Sequence, residues 1–116
     1  MTAASKQTQT AIDRDEHASR RRRLMEQMAP ESIAIVSAAP ERTRSRDTEY
    51  PYRQDSDFLY LTGFQEPHAV LVLVPGREHG ETVLFCRERD PDRELWDGFM
   101  VGPDGAVADY GVDDAF

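Results

Sequence analysis

Residues 69–86 read AVLVLVPGREHGETVLFC, two apolar runs separated by a short polar segment. Ala69 to Val74 and Thr82 to Cys86 are rich in β-branched residues and too short for independent helices, so each is predicted as a strand. Between them, Pro75, Gly76 and Gly80 supply a turn, which makes the pair an antiparallel hairpin. Upstream, Ile33 to Val36 is a similar run. The first of these runs and Ala69 to Val74 are too continuous for strands with one wet face, and both read as central strands.

Outside the strands the pattern turns helical. From Asp13 to Met28, Leu24, Met25 and Met28 share one stripe, acids stand in the first turn and Pro30 lies beyond the end. Arg20 to Arg23 sit consecutively on this helix, pointing about 100° apart, and so form a solvated surface rather than one basic stripe. Asp90-Pro91 reads as an N-cap followed by proline at the first helical position, opening a short helix through Trp96. Gly98, Gly102, Pro103 and Gly105 then break regular structure, and Ala106 to Phe116 fits one more helix or strand equally well. The fold class expected is α/β, a mixed sheet flanked by helices.

Composition bounds what such a domain can do. The 116 residues carry a net charge of −8, with 39% hydrophobic and 31% charged residues, which is a globular composition. Residues 1–58 hold ten basic and ten acidic groups, and residues 59–116 hold four and twelve, so the whole excess lies in the second half. That balance opposes binding to nucleic acid phosphates and to anionic membranes. Residues 1–12 have little to pack and are expected to form a tail, leaving residues 13–116 as one domain. Cys86 stands alone and reads as a small buried hydrophobe. Neither a secretory h-region nor a run of about 20 apolar residues occurs, so a cytoplasmic location is expected.

The connection from Pro40 to Ala69 is where function is expected, because connections beyond about 12 to 15 residues are uncommon in compact domains. Tyr50, Tyr52, Phe58, Tyr60 and Phe64 alternate there with arginines and acids. They either pin the segment to the sheet or line an interface. Asp55-Ser56-Asp57 followed by Phe58 to Thr62 and Gly63 reads as a capped helical turn or short strand ending at glycine. No HExxH, GxSxG, P-loop or GxGxxG pattern occurs, and His17, His68 and His79 are scattered as surface residues.

One longer pattern is specific. Thr43-Arg44-Ser45 and Asp47, Glu49-Tyr50-Pro51-Tyr52-Arg53-Gln54, Ser56-Asp57-Phe58, Tyr60, Thr62-Gly63-Phe64 and Glu66-Pro67 together resemble the amino-terminal domain of bacterial Xaa-Pro aminopeptidases, the aminopeptidase P family. The arginine-rich first helix, Glu94-Leu95-Trp96, Gly98, Gly102 and Gly111-Val112-Asp113 extend the likeness over about residues 18–116. Asp55 departs from it, standing where the family usually has Asn.

The resemblance implies a metallopeptidase that releases the first residue of peptides with proline second. It also implies two divalent metal ions, commonly manganese, held by Asp, Glu and His ligands in a carboxyl-terminal catalytic domain, none of which matches a position here. Expected partners are that catalytic domain, further copies in a dimer or tetramer, and the peptide substrate. By the same likeness, Trp96 and Asp47 are expected on the wall of a substrate cleft, that of a neighbouring subunit. Two other readings stand beside it: a freestanding interaction module using Tyr50 to Phe64, and nucleic-acid binding through Arg20 to Arg23 and Arg42 to Arg46, which the acidic second half opposes.

Overall fold

The structure, a computed structural model, describes residues 11–40, 52–97 and 99–116. Among the described residues, four strands and four helices follow in the order α1 (Ala11–Glu26), β1 (Ala34–Ser37), α2 (Ser56–Thr62), β2 (Val70–Leu73), β3 (Thr82–Phe85), α3 (Pro91–Asp97), α4 (Gly102–Tyr110) and β4 (Asp114–Ala115). The strands form one mixed sheet in the order β1-β2-β3-β4. β1 and β3 each run antiparallel to β2, and β4 runs parallel to β3. The parallel pair requires a crossover, which α3 and α4 supply.

The hairpin forms as its sequence predicts, with Leu71 opposite Leu84 and Leu73 opposite Thr82. One face of the sheet carries Leu71, Leu73 and Leu84, all fully buried, and against them pack Phe58 and Leu61 of α2, Phe64, and Val101, Ala106 and Tyr110 at and within α4. Phe58, Phe64 and Tyr110 meet edge to face, with ring centroids 6.4 and 5.2 Å apart. Leu24 and Met25 bring the helical stripe of α1 onto the same cluster.

α2 begins and ends as its residues dictate. Asp55 Oδ2 accepts from the N–H of Phe58 at 2.9 Å, and Gly63, at φ 72°, takes the left-handed cap and donates to Leu59 O at 2.8 Å. α3 likewise opens on Asp90, whose Oδ1 accepts from Asp92 N at 3.1 Å.

Several sequence expectations need correction. Among the described residues β1 is an edge strand rather than a central one: there it pairs with β2 alone, and Ile35 is 63% exposed. The glycine-rich stretch does not end regular structure, because α4 starts at Gly102; Pro103 falls in the first turn, where no N–H is needed. The final residues are both alternatives at once, a helix to Tyr110 and then a strand, separated at Gly111 with φ 70°.

Arg21 is a further correction. Arg22 and Arg23 are exposed, but Arg21 is only 1% exposed and sits between helices rather than on a solvated surface. Its Nη1 donates to Leu61 O at 2.8 Å and its Nη2 to Gly111 O at 3.3 Å, at the carboxyl ends of α2 and α4. Burial lowers its pKa to about 10, partly opposed by the charge of Asp113, and the group remains cationic at neutral pH.

Candidate interface and cleft-wall site

The expected site residues divide sharply by environment. Phe58 and Phe64 are fully buried beneath the sheet, so neither can face a partner; their aromatic character is spent on the core. Tyr52 is half-buried, with its hydroxyl donating to Ala39 O just beyond β1. Tyr60 is 53% exposed, and the Arg20 guanidinium lies 4.3 Å from its ring centroid. Arg20 Nη1 also donates to Tyr60 O at 3.1 Å, and His17 Nδ1 stands 2.9 Å from that carbonyl. Tyr50 and Asp47 lie outside the described residues.

Gln54, which carried no expectation, holds this region together. Its Oε1 accepts from the N–H of Ala39 at 2.8 Å and of Asp55 at 2.9 Å, while its Nε2 donates to the carbonyls of Phe64 at 3.1 Å and Glu66 at 2.9 Å. The side chain is 6% exposed, and its amide ties the end of β1 to both ends of the α2 segment.

Glu66 is the second unforeseen organiser. Its Oε2 accepts from the buried N–H of Val101 at 2.7 Å, and its Oε1 pairs with Arg87 Nη2 at 3.3 Å. One carboxylate thus fixes the end of β3 and the start of α4. It also bears on two neighbours. Burial, reinforced by Glu66, raises Cys86 to about 11 and Tyr110 to about 12; Cys86 keeps its proton at neutral pH and is half-buried rather than the buried hydrophobe its sequence setting suggests.

Between those anchors projects α3. Pro91, Asp92, Arg93 and Leu95 are exposed and Glu94 is half-buried; Leu95, at 81%, and the following Phe99, at 54%, present apolar surface to solvent. Trp96 has its backbone in the last turn of this helix, and its side chain lies outside what the structure describes.

Glu94 braces the projection. Its Oε1 and Oε2 each receive one bond from the Arg89 guanidinium at 3.0 Å, and Oε2 also accepts from Met100 N at 2.8 Å. The Arg89 hydrogen bond, then the Met100 N–H, hold the carboxyl below its ordinary range. Arg89 in turn lies 5.1 Å from the Phe99 ring centroid. α3 is therefore a short, apolar-tipped arm held at its base by a bidentate ion pair.

Among the described residues no three His, Cys, Asp or Glu side chains come together as a metal site. Among the same residues no helix is long and apolar enough to cross a membrane.

Known proteins share this sequence and fold. The chain is 54% identical over 105 residues to the Xaa-Pro aminopeptidase of Escherichia coli K12, covering 90% of this chain and 24% of that protein. Human Xaa-Pro aminopeptidase 3 is 42% identical over 113 residues, with 87% and 22% covered. The structure of Pseudomonas aeruginosa aminopeptidase PepP superposes with a TM-score of 0.84 at 66% identity, covering 89% of this chain and 23% of that one. Zinc-substituted E. coli aminopeptidase P in complex with product gives 0.81 at 52% identity, with 92% and 24% covered. The chain thus spans about a quarter of the length of these relatives. The family profile described as Aminopeptidase P, N-terminal domain matches residues 17–116, and the chain belongs to that family.

Proposed function

We propose that this chain is the noncatalytic amino-terminal domain of an Xaa-Pro aminopeptidase, a cytoplasmic metallopeptidase that releases the first residue of peptides with proline second. In this reading the domain shapes the substrate cleft and mediates assembly into a dimer or tetramer, and the metal ligands belong to a separate catalytic domain. The observation that carries the reading is the α3 arm: Leu95 and Phe99 are exposed on a segment that is braced by the Arg89–Glu94 pair and also bears Trp96. Large apolar side chains on a held arm suit contact with neighbouring protein better than contact with water. Manganese, if it is the metal, would activate the attacking water in the catalytic domain; residues of the present chain would contribute walls and contacts.

The test is Trp96→Ala in the full-length enzyme, assayed on peptides with proline second. Altered kcat/KM with unchanged metal content supports a wall role, and unchanged kinetics reject it. Metal analysis of the 116-residue chain addresses the rest: tight manganese binding or peptide turnover by this chain alone would move the catalytic site into it.

A further inference from the structure

Two carboxylates share the return of the chain from the α3 arm. Glu94 accepts from the N–H of Met100 at 2.8 Å, and Glu66 accepts from the next one, that of Val101, at 2.7 Å. Each is paired with an arginine of the segment that leads out of β3. Glu66 meets Arg87 at 3.3 Å, and Glu94 meets Arg89 through two bonds of 3.0 Å. The arm is therefore closed at its base by two links of the same make, arginine to carboxylate to main-chain amide.

The two links hold different things. The Glu66 link is the inner one: its Arg87 and Glu66 side chains are 19% and 10% exposed, and Glu66 precedes β2, so it ties the arm to the sheet. The Glu94 link is the outer one, with the Arg89 side chain 56% exposed, and Glu94 is the middle residue of α3 itself. Its carboxylate bends back to meet a residue before the helix and a residue after it. Breaking this outer link frees α3 to change its angle while the inner link keeps the base closed. Arg89 is seated for the purpose: its stem occupies the space that a side chain at Gly102 would fill, with Cγ 2.7 Å from the place of a Cβ there, and its guanidinium lies 5.1 Å from the Phe99 ring centroid.

We propose that Arg89 and Glu94 are positioning residues for the peptidase, an ionic latch that sets the angle at which α3 carries Trp96 to the wall of the substrate cleft. The inference rests on the reading of that arm as a cleft wall. Trp96 follows Glu94 by two residues in the last turn of the same helix, so its main chain moves with the helix that the latch holds. An arm with no reacting group lends its contacts to substrate and transition state alike, so a loss of its setting raises KM and leaves kcat in place.

The experiment is a double-variant cycle of Arg89→Met with Trp96→Ala in the full-length protein, assayed on a proline-second peptide. Arg89→Met is expected to raise KM about three- to fivefold, the upper range for an exposed ion pair, at constant kcat. Arg89→Lys, which keeps the charge without the fork, should recover part of the rise. Added to Trp96→Ala, Arg89→Met should raise KM no further, because both changes act through the same contact. Glu94→Gln keeps an acceptor for the Met100 N–H and should reproduce the rise; it replaces Arg89→Met in the cycle if that variant fails to fold. A parental KM, a loss confined to kcat, or an equal rise with and without Trp96 overturns the latch. Those outcomes leave the cleft wall standing as long as Trp96→Ala alone alters the kinetics. Parental kinetics in Trp96→Ala defeat the cleft-wall reading, and the latch with it.

Discussion

Arg21 and Leu61, forty residues apart in sequence, are joined by a buried hydrogen bond of 2.8 Å from the guanidinium Nη1 to the main-chain carbonyl. The same guanidinium reaches Gly111 O from its other terminal nitrogen, so one side chain of α1 satisfies backbone at the ends of both α2 and α4. Replacing it by methionine fills much of the volume but leaves both carbonyls without this donor. Arg21→Met is expected to cost about 2–4 kcal/mol in urea unfolding, at roughly 1–3 kcal/mol for each buried group left unpaired. Arg21→Lys, which keeps the charge but cannot fork to two acceptors, should recover only part of that loss. A stability equal to the parent's in Arg21→Met would show that the clamp is incidental.

Glu66 offers a similar separation of charge from hydrogen bonding. Glu66→Ala strips the acceptor from the buried Val101 N–H and the partner from Arg87, and is expected to cost about 2–4 kcal/mol. Glu66→Gln keeps a carbonyl that can accept from Val101 and should cost distinctly less. Equal losses in the two variants would mean that the ion pair, not the acceptor at the start of α4, is what the site requires.

These two residues mark where sequence reading stopped. The hairpin was legible because apolar runs, a Gly- and Pro-containing turn and strand length are local signals, and the caps at Asp55, Gly63 and Asp90 were legible for the same reason. Arg21 was misread because four adjacent arginines suggest uniform solvation. Helical phase held the correcting signal: Arg21 lies three and four residues before Leu24 and Met25, on the stripe that faces the core. Gln54 and Glu66 act through contacts with residues such as Ala39 and Val101, and no local pattern announces those pairings. The apolar continuity of Ile33 to Val36 pointed to a strand without a wet face, yet Ile35 is exposed and β1 is at an edge, because strand order is a property of topology rather than of the strand's own residues.

Gly80 tests how tightly β4 is held. It lies at φ 110°, and an added Cβ would collide with the Cβ of Asp113. Asp113 Oδ2 accepts from Thr82 N at 3.1 Å, and Asp113 N donates to Thr82 O at 2.9 Å. Gly80→Ala is therefore expected to destabilise the domain by about 2–4 kcal/mol, combining left-handed strain with the steric conflict. Amide hydrogen exchange should quicken first at Asp113 and Phe116. Unchanged exchange at those two amides would show that the turn and β4 are not coupled.

Cys86 provides a prediction in pH. Burial first, and the nearby Glu66 carboxylate second, raise the thiol from 9.0 to about 11, with Arg87 acting weakly the other way. In the unfolded chain the thiol ionises near its ordinary value, so between the two values the folded state holds the proton and the unfolded state does not. By linkage, this group's contribution to stability is complete below about 9 and is lost as pH rises through about 11. Thiolate absorbance, taken as the difference between the parent and Cys86→Ala so that tyrosinate signals cancel, should titrate at higher pH in native than in denatured protein. Coincident native and denatured titrations would place the thiol in water rather than against the core.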